Sequence, residues 1–226
     1  VQAFELSRIA ELWPEIVQAL TETFAMLIVA IPLAVLIGTP LGIWLYSTSP
    51  RGLKPRPRIH RIVDTAVNTL RSFPFLILLI AIIPITRFIV GTTIGTAAVI
   101  VPLTINAIPY FARLVEQNVT QLGGGVVEAA RAMGATRGQI VREVLLVEAK
   151  PAIVGSITIT TVSFISYSAM AGLVGGGGIG DFAIRYGYYR YETVVMFFAI
   201  ILMLVLVQAV QIIGARLVRS LDKRNA

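Results

Sequence analysis

The sequence predicts an all-α polytopic membrane protein with five transmembrane helices, and three observations lead there. The first is composition. Of 226 residues, 56% are apolar and 14% charged, against roughly 25% charged in soluble domains, and mean hydropathy is +0.83. The second is a set of long runs free of Asp, Glu, Lys and Arg, at 23–50, 72–86, 88–112, 151–180 and 193–215. The third is that the basic residues gather in alternate connections between those runs. Together these exclude a soluble enzyme, a disordered chain and a secreted disulfide scaffold. The absence of Cys removes thiolate metal sites, and a lone histidine, His60, makes a His cluster or a Ser-His pair improbable.

A helix needs about 20 residues, at roughly 1.5 Å each, to cross the ~30 Å hydrocarbon core. The spans are expected near 22–46, 63–86, 92–117, 151–174 and 193–216. The second uncharged run is too short alone and is extended backwards through Ile62, Val63, Ala66, Val67 and Leu70, taking in Asp64 and Arg71. Residues 1–21 precede the first span. Phe4, Ile9, Leu12, Ile16 and Leu20 recur there at helical spacing, which predicts an amphipathic segment on the outer surface. Glu5, Glu11 and Glu15 and the lack of a basic start argue against a cleavable signal sequence. The chain does not begin with Met, so the numbering is expected to start after a processed or trimmed end.

Orientation follows from Lys and Arg. Arg51, Lys54, Arg56, Arg58 and Arg61 lie between spans one and two. Arg131, Arg137, Arg142 and Lys150 lie between three and four, and Arg216, Arg219, Lys223 and Arg224 close the chain. Against these thirteen, the opposite side carries four: Arg8, Arg87, Arg185 and Arg190. The richer side is read as cytoplasmic, with the N-terminus outside and the C-terminus inside. The net charge of +7 is thereby explained by topology, with no nucleic acid required.

Within the spans, Pro32, Pro40, Pro74, Pro84, Pro102 and Pro109 each remove a backbone donor. Either they kink ordinary membrane helices or they mark breaks beside a cavity. Asp64 and Arg71, seven residues apart, share a helix face; interfacial anchoring and a charge contact at a subunit interface are both open, as they are for Arg113 and Glu116. The tract Gly172-Leu-Val-Gly-Gly-Gly-Gly-Ile-Gly180 lacks the Lys-Ser/Thr ending of a phosphate loop and is expected to be a flexible break at the outer end of span four. Tyr186, Tyr188, Tyr189 and Tyr191 follow as an interfacial belt.

The most informative segment is 120–150. Leu122-Gly-Gly-Gly125 breaks the preceding helix, Val126 to Met133 favours a short one, and Gly134 and Gly138 allow a turn before a second amphipathic piece near 137–148. A short helix across the cytoplasmic face, tied at both ends to spans, is a lever that a partner can grip. Ala129 and Ala130 offer a smooth docking surface and Glu128 a directional charge.

These residues resemble a known pattern. Glu128-Ala129-Ala130, three residues, then Gly134 is similar to the EAA loop of bacterial ABC importer permeases. That pattern continues with Ile-x-Leu-Pro, where this chain has Val144-Leu-Leu-Val147. The stretches Leu70-Arg-Ser-Phe-Pro-Phe-Leu-Ile-Leu-Leu79, 83–95, Val101-Pro-Leu-Thr104 and 167–180 resemble the permease subunits of methionine ABC importers over most of the chain. The resemblance implies a five-span permease in a homodimer, in the bacterial inner membrane, with two nucleotide-binding ATPase subunits and an extracytoplasmic substrate-binding protein. It implies a coupling helix near 126–136, with Glu128, Ala129, Ala130, Arg131, Met133, Gly134 and Ala135 at the ATPase contact. The chain itself is expected to catalyse nothing and bind no cofactor, ATP and Mg belonging to the ATPase, and to import methionine or a related amino acid by alternating access. The competing readings are a permease for another small solute, such as a polar amino acid, and a channel or membrane scaffold. A channel more often shows a charged ring inside its spans. The path is expected from spans three and four at the dimer axis. Tyr167, Ser168, Met170 and Gly172 lie near the gate, where Met170 serves either as a plug or as plain packing.

Overall fold

The computed structural model describes residues 2–222, with side chains from Ser7 onward. The side chains of Phe4 and Glu5 in the expected amphipathic segment, and Lys223 and Arg224 of the basic C-terminus, lie outside the described residues. Among the described residues the secondary structure is helical, with no strand. In chain order the elements are α1 (Gln2–Glu11), α2 (Trp13–Thr48), α3 (Pro57–Ser72), α4 (Phe75–Ala81), α5 (Ile83–Val90), α6 (Thr96–Gln121), α7 (Gly124–Ala132) and α8 (Arg137–Gln139). A π turn (Ile140–Leu145) leads to α9 (Leu146–Glu148) and α10 (Lys150–Ala171). A 3₁₀ turn (Gly172–Val174), α11 (Gly178–Phe182), a second π turn (Ala183–Tyr188) and α12 (Thr193–Leu221) complete the chain. Four helices, α2, α6, α10 with its 3₁₀ extension, and α12, are long and apolar enough to cross a membrane; α3 and α4 make a fifth if the broken pair counts as one span.

The second expected span, 63–86, is therefore not one helix. Proline restricts the residue before it to extended backbone, and Phe73 (φ −70, ψ 128) obeys, ending α3. Pro84 sits in the first turn of α5, where a missing N–H costs nothing. By contrast Pro32 and Pro40 lie inside α2, and Pro102 and Pro109 inside α6, without ending either helix. The helices also extend past several expected limits, with α12 continuing to Leu221.

The chain divides into two compact units, one of residues 1–31, 74–105 and 161–210, the other of 32–73, 106–160 and 211–226. In the first unit Met26, Phe164, Ile165, Ile179 and Phe182 are buried. Phe75 stacks on Tyr167 at 5.1 Å between ring centroids, and Phe164 meets the same ring edge-on at 4.9 Å, both favoured aromatic geometries. Arg8 forks onto Glu192, Nε donating at 2.9 Å and Nη2 at 3.1 Å, and its Nη1 reaches Glu11 at 3.0 Å. This ties α1 to the residue before α12.

In the second unit α2 and α6 meet backbone to backbone. A Cβ on Gly42 would lie 2.4 Å from the Ala112 carbonyl oxygen, and one on Gly38 would lie 3.0 Å from that of Ile108. Lipid tails are as apolar as leucine, so close packing of small residues, rather than hydrophobic transfer, brings such helices together. On α6, Arg113 donates to Glu116 at 2.6 Å, to Asn68 at 2.9 Å and to Asp64 at 2.5 Å. One turn earlier, Tyr110 has the Arg71 guanidinium 5.9 Å from its ring centroid. Asp64 and Arg71 thus share a face, as their spacing predicts, but both are spent on α6 of the same chain. Within the chain, Asp64 pairs with Arg113 and Arg71 lies over Tyr110. Because residues 64 and 71 meet 113 and 110 in that order, α3 runs antiparallel to this part of α6.

Two predictions follow from these ion pairs. A double-mutant cycle on Asp64→Ala and Arg113→Ala should give a coupling energy on the order of 1.5–3 kcal/mol in reversible unfolding from detergent, the range for hydrogen bonds to charged groups. Strict additivity would show the pair to be idle. The Arg8 hydrogen bond holds the Glu192 carboxyl below its ordinary 4.5. Its stabilising contribution is present above that value and disappears as pH falls through the lowered one. Hydrogen exchange of α1 should accelerate only in that acid window, and Arg8→Ala should remove the step.

Candidate functional site

The segment after α6 is built by glycine punctuation. Gly123 (φ 80) starts α7, and Gly134 (φ +83) ends it. The Gly134 N–H donates to Arg131 O at 2.9 Å and the Ala135 N–H to Ala130 O at 3.0 Å, the paired bonds of a Schellman cap. Left-handed backbone disfavours a Cβ, which is the local reason for glycine at position 134. The next helical stretch opens at once on Thr136, whose hydroxyl accepts from the Gln139 N–H while the Gln139 side chain accepts from the Thr136 N–H at 2.9 Å. This capping box leaves the expected 126–136 helix divided: α7 stops at Ala132 and two residues separate its cap from the next.

Along α7, Val127 and Ala130 turn inward, Ala130 only 2% exposed, and the helix packs on the π turn Ile140–Leu145. Glu128, Ala129, Arg131 and Gly134 are exposed, and Met133 is 82% exposed. The outer side of the helix thus offers Ala129 and Met133, one turn apart, flanked by the Glu128 carboxylate. Ala130 lies on the inner side and seats the helix. Ala135 is half-buried. Arg131 also turns back, its Nη2 donating to Leu53 O at 3.4 Å. Leu53 is itself buried in the connection after α2, which folds onto that helix through Lys54 N–H to Ser47 O (2.8 Å) and Arg56 N–H to Thr48 O (2.9 Å).

The second group of expected residues lies at the end of α10. Met170 is 48% exposed. Tyr167 is half-buried against Phe75 and Phe164. Ser168 is 3% exposed, and its hydroxyl donates to Ile165 O at 2.7 Å; Thr158 and Thr160 back-bond similarly, to Val154 O and Ser156 O. Gly172 is buried against Gly180 and Asp181. So Met170 presents its side chain at the surface of the chain, while Ser168 and Gly172 shape the helix end beneath it.

The glycine tract is a break, but a packed one. A Cβ on Gly180 would lie 2.2 Å from Ala169 O, one on Gly176 2.5 Å from Val99, and one on Gly172 2.2 Å from Asp181 N. The Gly95 N–H donates to Gly175 O at 3.0 Å. Two residues that spacing does not reveal hold the tract from α2. The Glu22 carboxylate accepts from the Gly178 N–H at 2.7 Å, and the Thr23 hydroxyl accepts from the Ile179 N–H at 3.0 Å. The partners are 156 positions apart in each case, beyond any periodicity. The one local signal is the glycine run itself, since close backbone approach is what glycine permits.

Residues 38–223 match the family described as binding-protein-dependent transport system inner membrane component. A probable D-methionine transport system permease protein MetI from Vibrio cholerae is 51% identical over 203 residues, covering 90% of each chain. The D-methionine transport system permease protein MetI of Escherichia coli is 48% identical over 157 residues, covering 70% of this chain and 72% of that protein. Among solved structures, an inward-facing conformation of the MetNI methionine ABC transporter superposes with TM-score 0.92 at 44% identity, covering 94% of this chain and 99% of that one. An amino acid ABC transporter at 20% identity and TM-score 0.73 shares the fold. The match over 38–223, with the Glu128-Ala-Ala to Gly134 loop inside it, shows that the chain belongs to the binding-protein-dependent transport system inner membrane component family.

Proposed function

We propose that this chain is the membrane-spanning permease subunit of an ATP-driven importer of methionine. The observation that carries the reading is 51% identity, over 90% of both chains, to a protein named as a D-methionine transport permease. Two copies form the membrane core of a complex with two nucleotide-binding ATPase subunits and an extracytoplasmic binding protein. The complex lies in the bacterial inner membrane, each chain with its N-terminus outside and its C-terminus cytoplasmic. Residues 1–21 form an outer segment and 22–226 the transmembrane domain. ATP and Mg belong to the ATPase subunits; the work of this chain is conformational.

In this reading α7 is the coupling helix. Glu128, Ala129, Arg131 and Met133 meet a cleft of the ATPase, Val127 and Ala130 root the helix in its own subunit, and Gly134 with Ala135 fixes its end. Closure of the paired ATPases moves α7, and the near-continuous helical path from Arg137 into α10 carries that motion to Met170. Met170 seals the axis against its symmetry mate between cycles. A thioether is suited to this because it fills a gap without demanding a fixed shape. Tyr167, wedged between Phe75 and Phe164, holds the helix beneath it.

The coupling assignment is tested at Gly134. A Cβ there meets nothing within 4 Å in this chain, so Gly134→Val adds about 1–2 kcal/mol of left-handed backbone strain and a projection toward the partner. Uptake by the whole complex should be abolished and co-purification of the ATPase weakened; unchanged uptake with normal co-purification removes the assignment. The orientation is tested by single cysteines in the Cys-free chain. A membrane-impermeant maleimide on intact cells should label position 5 and leave position 54 unlabelled. The reverse pattern inverts the topology.

A further inference from the structure

The exposed Met170 stands next to Ala169, and Ala169 is where the glycine tract touches α10: a Cβ on Gly180 would meet Ala169 O at 2.2 Å and Ala169 Cα at 2.4 Å. Gly180 belongs to α11, which runs directly into the π turn Ala183–Tyr188; the combined stretch is still below the roughly 12–15 residues at which an isolated helix holds itself together. Its first two N–H groups are satisfied from α2, by the Glu22 carboxylate at Gly178 (2.7 Å) and the Thr23 hydroxyl at Ile179 (3.0 Å). Both acceptors are themselves oriented. Gln18 Nε2 donates to the other Glu22 oxygen at 2.8 Å. The Thr23 hydroxyl spends its proton on Ala19 O at 3.0 Å, leaving a lone pair for Ile179. The glycines make room for this approach: a Cβ on Gly177 would lie 2.5 Å from Glu22 Oε2, and one on Gly178 2.8 Å from Thr23 Oγ1. An unbroken series of contacts therefore runs from α2 through α11 to the residue beside Met170, all within one compact unit.

We propose that Glu22 and Thr23 are positioning residues for transport: they latch α11 to α2, and α11 in turn fixes the end of α10 that carries the gate. Glu22 touches no solute. It acts by capping a helix too short to persist uncapped, so that the glycine run is a rigid strut when latched and a loose loop when released. The latch rests on the reading of this chain as an importer permease, and its structural half is measurable without transport.

The test uses the complete permease–ATPase complex in liposomes, with Glu22→Ala, Glu22→Gln, Thr23→Val and Met170→Ala. Three quantities are read: passive methionine leak without ATP, ATP-coupled uptake, and hydrogen exchange of the amides of Gly178 and Ile179. Glu22→Ala should raise exchange at Gly178 and increase leak several-fold, with uptake per ATP falling. Glu22→Gln keeps a side-chain carbonyl for the Gly178 N–H and should remain within about twofold of the parent, since a neutral acceptor still makes the bond. Thr23→Val, which keeps its volume, should raise exchange at Ile179 and give a smaller leak; it carries the test if Glu22→Ala does not assemble. Unchanged exchange in Glu22→Ala and Thr23→Val overturns the latch, as does raised exchange with leak and uptake at parental values. Leak from Met170→Ala but not from the latch variants leaves the gate standing and removes the latch. Leak from the latch variants but not from Met170→Ala supports the latch and moves the gate to another residue.

Discussion

Inside a hydrocarbon layer a backbone N–H or C=O has no water to bond, and each one left unpaired costs several kcal/mol. Long helices meet that demand within themselves, and α2, α6, α10 and α12 do so over most of the chain. The interest lies where helices stop. At the glycine tract the demand is met across the fold: Glu22 and Thr23 take the first N–H groups of α11, Gly175 O takes the Gly95 N–H, and Ala171 O takes the Gly176 N–H. At the other informative break, after α7, it is met locally by a Schellman cap followed directly by a capping box. The first kind of closure depends on two helices remaining side by side. The second lies wholly within the segment that carries it.

The same low dielectric governs the charges. Arg113 would be costly alone in a span, and it is surrounded by Asp64, Asn68 and Glu116, while Arg71 lies over the Tyr110 ring. Within the chain these contacts fix α3 against α6 and give their direction. Elsewhere the surface is apolar where lipid or another subunit is to cover it: Phe197, Ile201, Leu204 and Val205 of α12 are all more than half exposed.

Much of this was legible in the residues. Uncharged runs locate α2, α6, α10 and α12 because hydrocarbon excludes charge over a length that a helix must cover. Gly123 and Gly134 delimit α7 because they stand where the backbone has to turn, while Gly124 and Gly125 of the same run fall inside its first turn. The break at Phe73-Pro74 was not legible, since Pro32, Pro40, Pro102 and Pro109 give the same local signal inside helices that continue; whether a freed carbonyl finds another partner is decided by neighbours. The Asp64 to Arg113 pair lies 49 positions apart, and spacing alone shows only that Asp64 and Arg71 share a helix face. Four consecutive glycines suggest looseness, and only the atoms opposite them reveal that they are there for proximity. Likewise Ala130 looked equivalent to Ala129 in a string of letters, and a rotation of one residue about the helix axis put it on the inner side.

The seam between α2 and α6 has a mechanical consequence. At Gly42 a Cβ would strike Ala112 O at 2.4 Å, and at Gly38 it would press on Ile108 O at 3.0 Å. A joint with so little clearance leaves little room to absorb displacement by reshuffling rotamers, because the Phe111 and Val115 side chains that line it already stand 3.1 Å and 2.8 Å from where a Cβ on Gly38 or Gly42 would lie. These parts of α2 and α6 must travel as one rigid spar whenever the subunit changes shape. The compliance needed for alternating access then falls on the places that have slack to give, at the ends of helices and not along this seam.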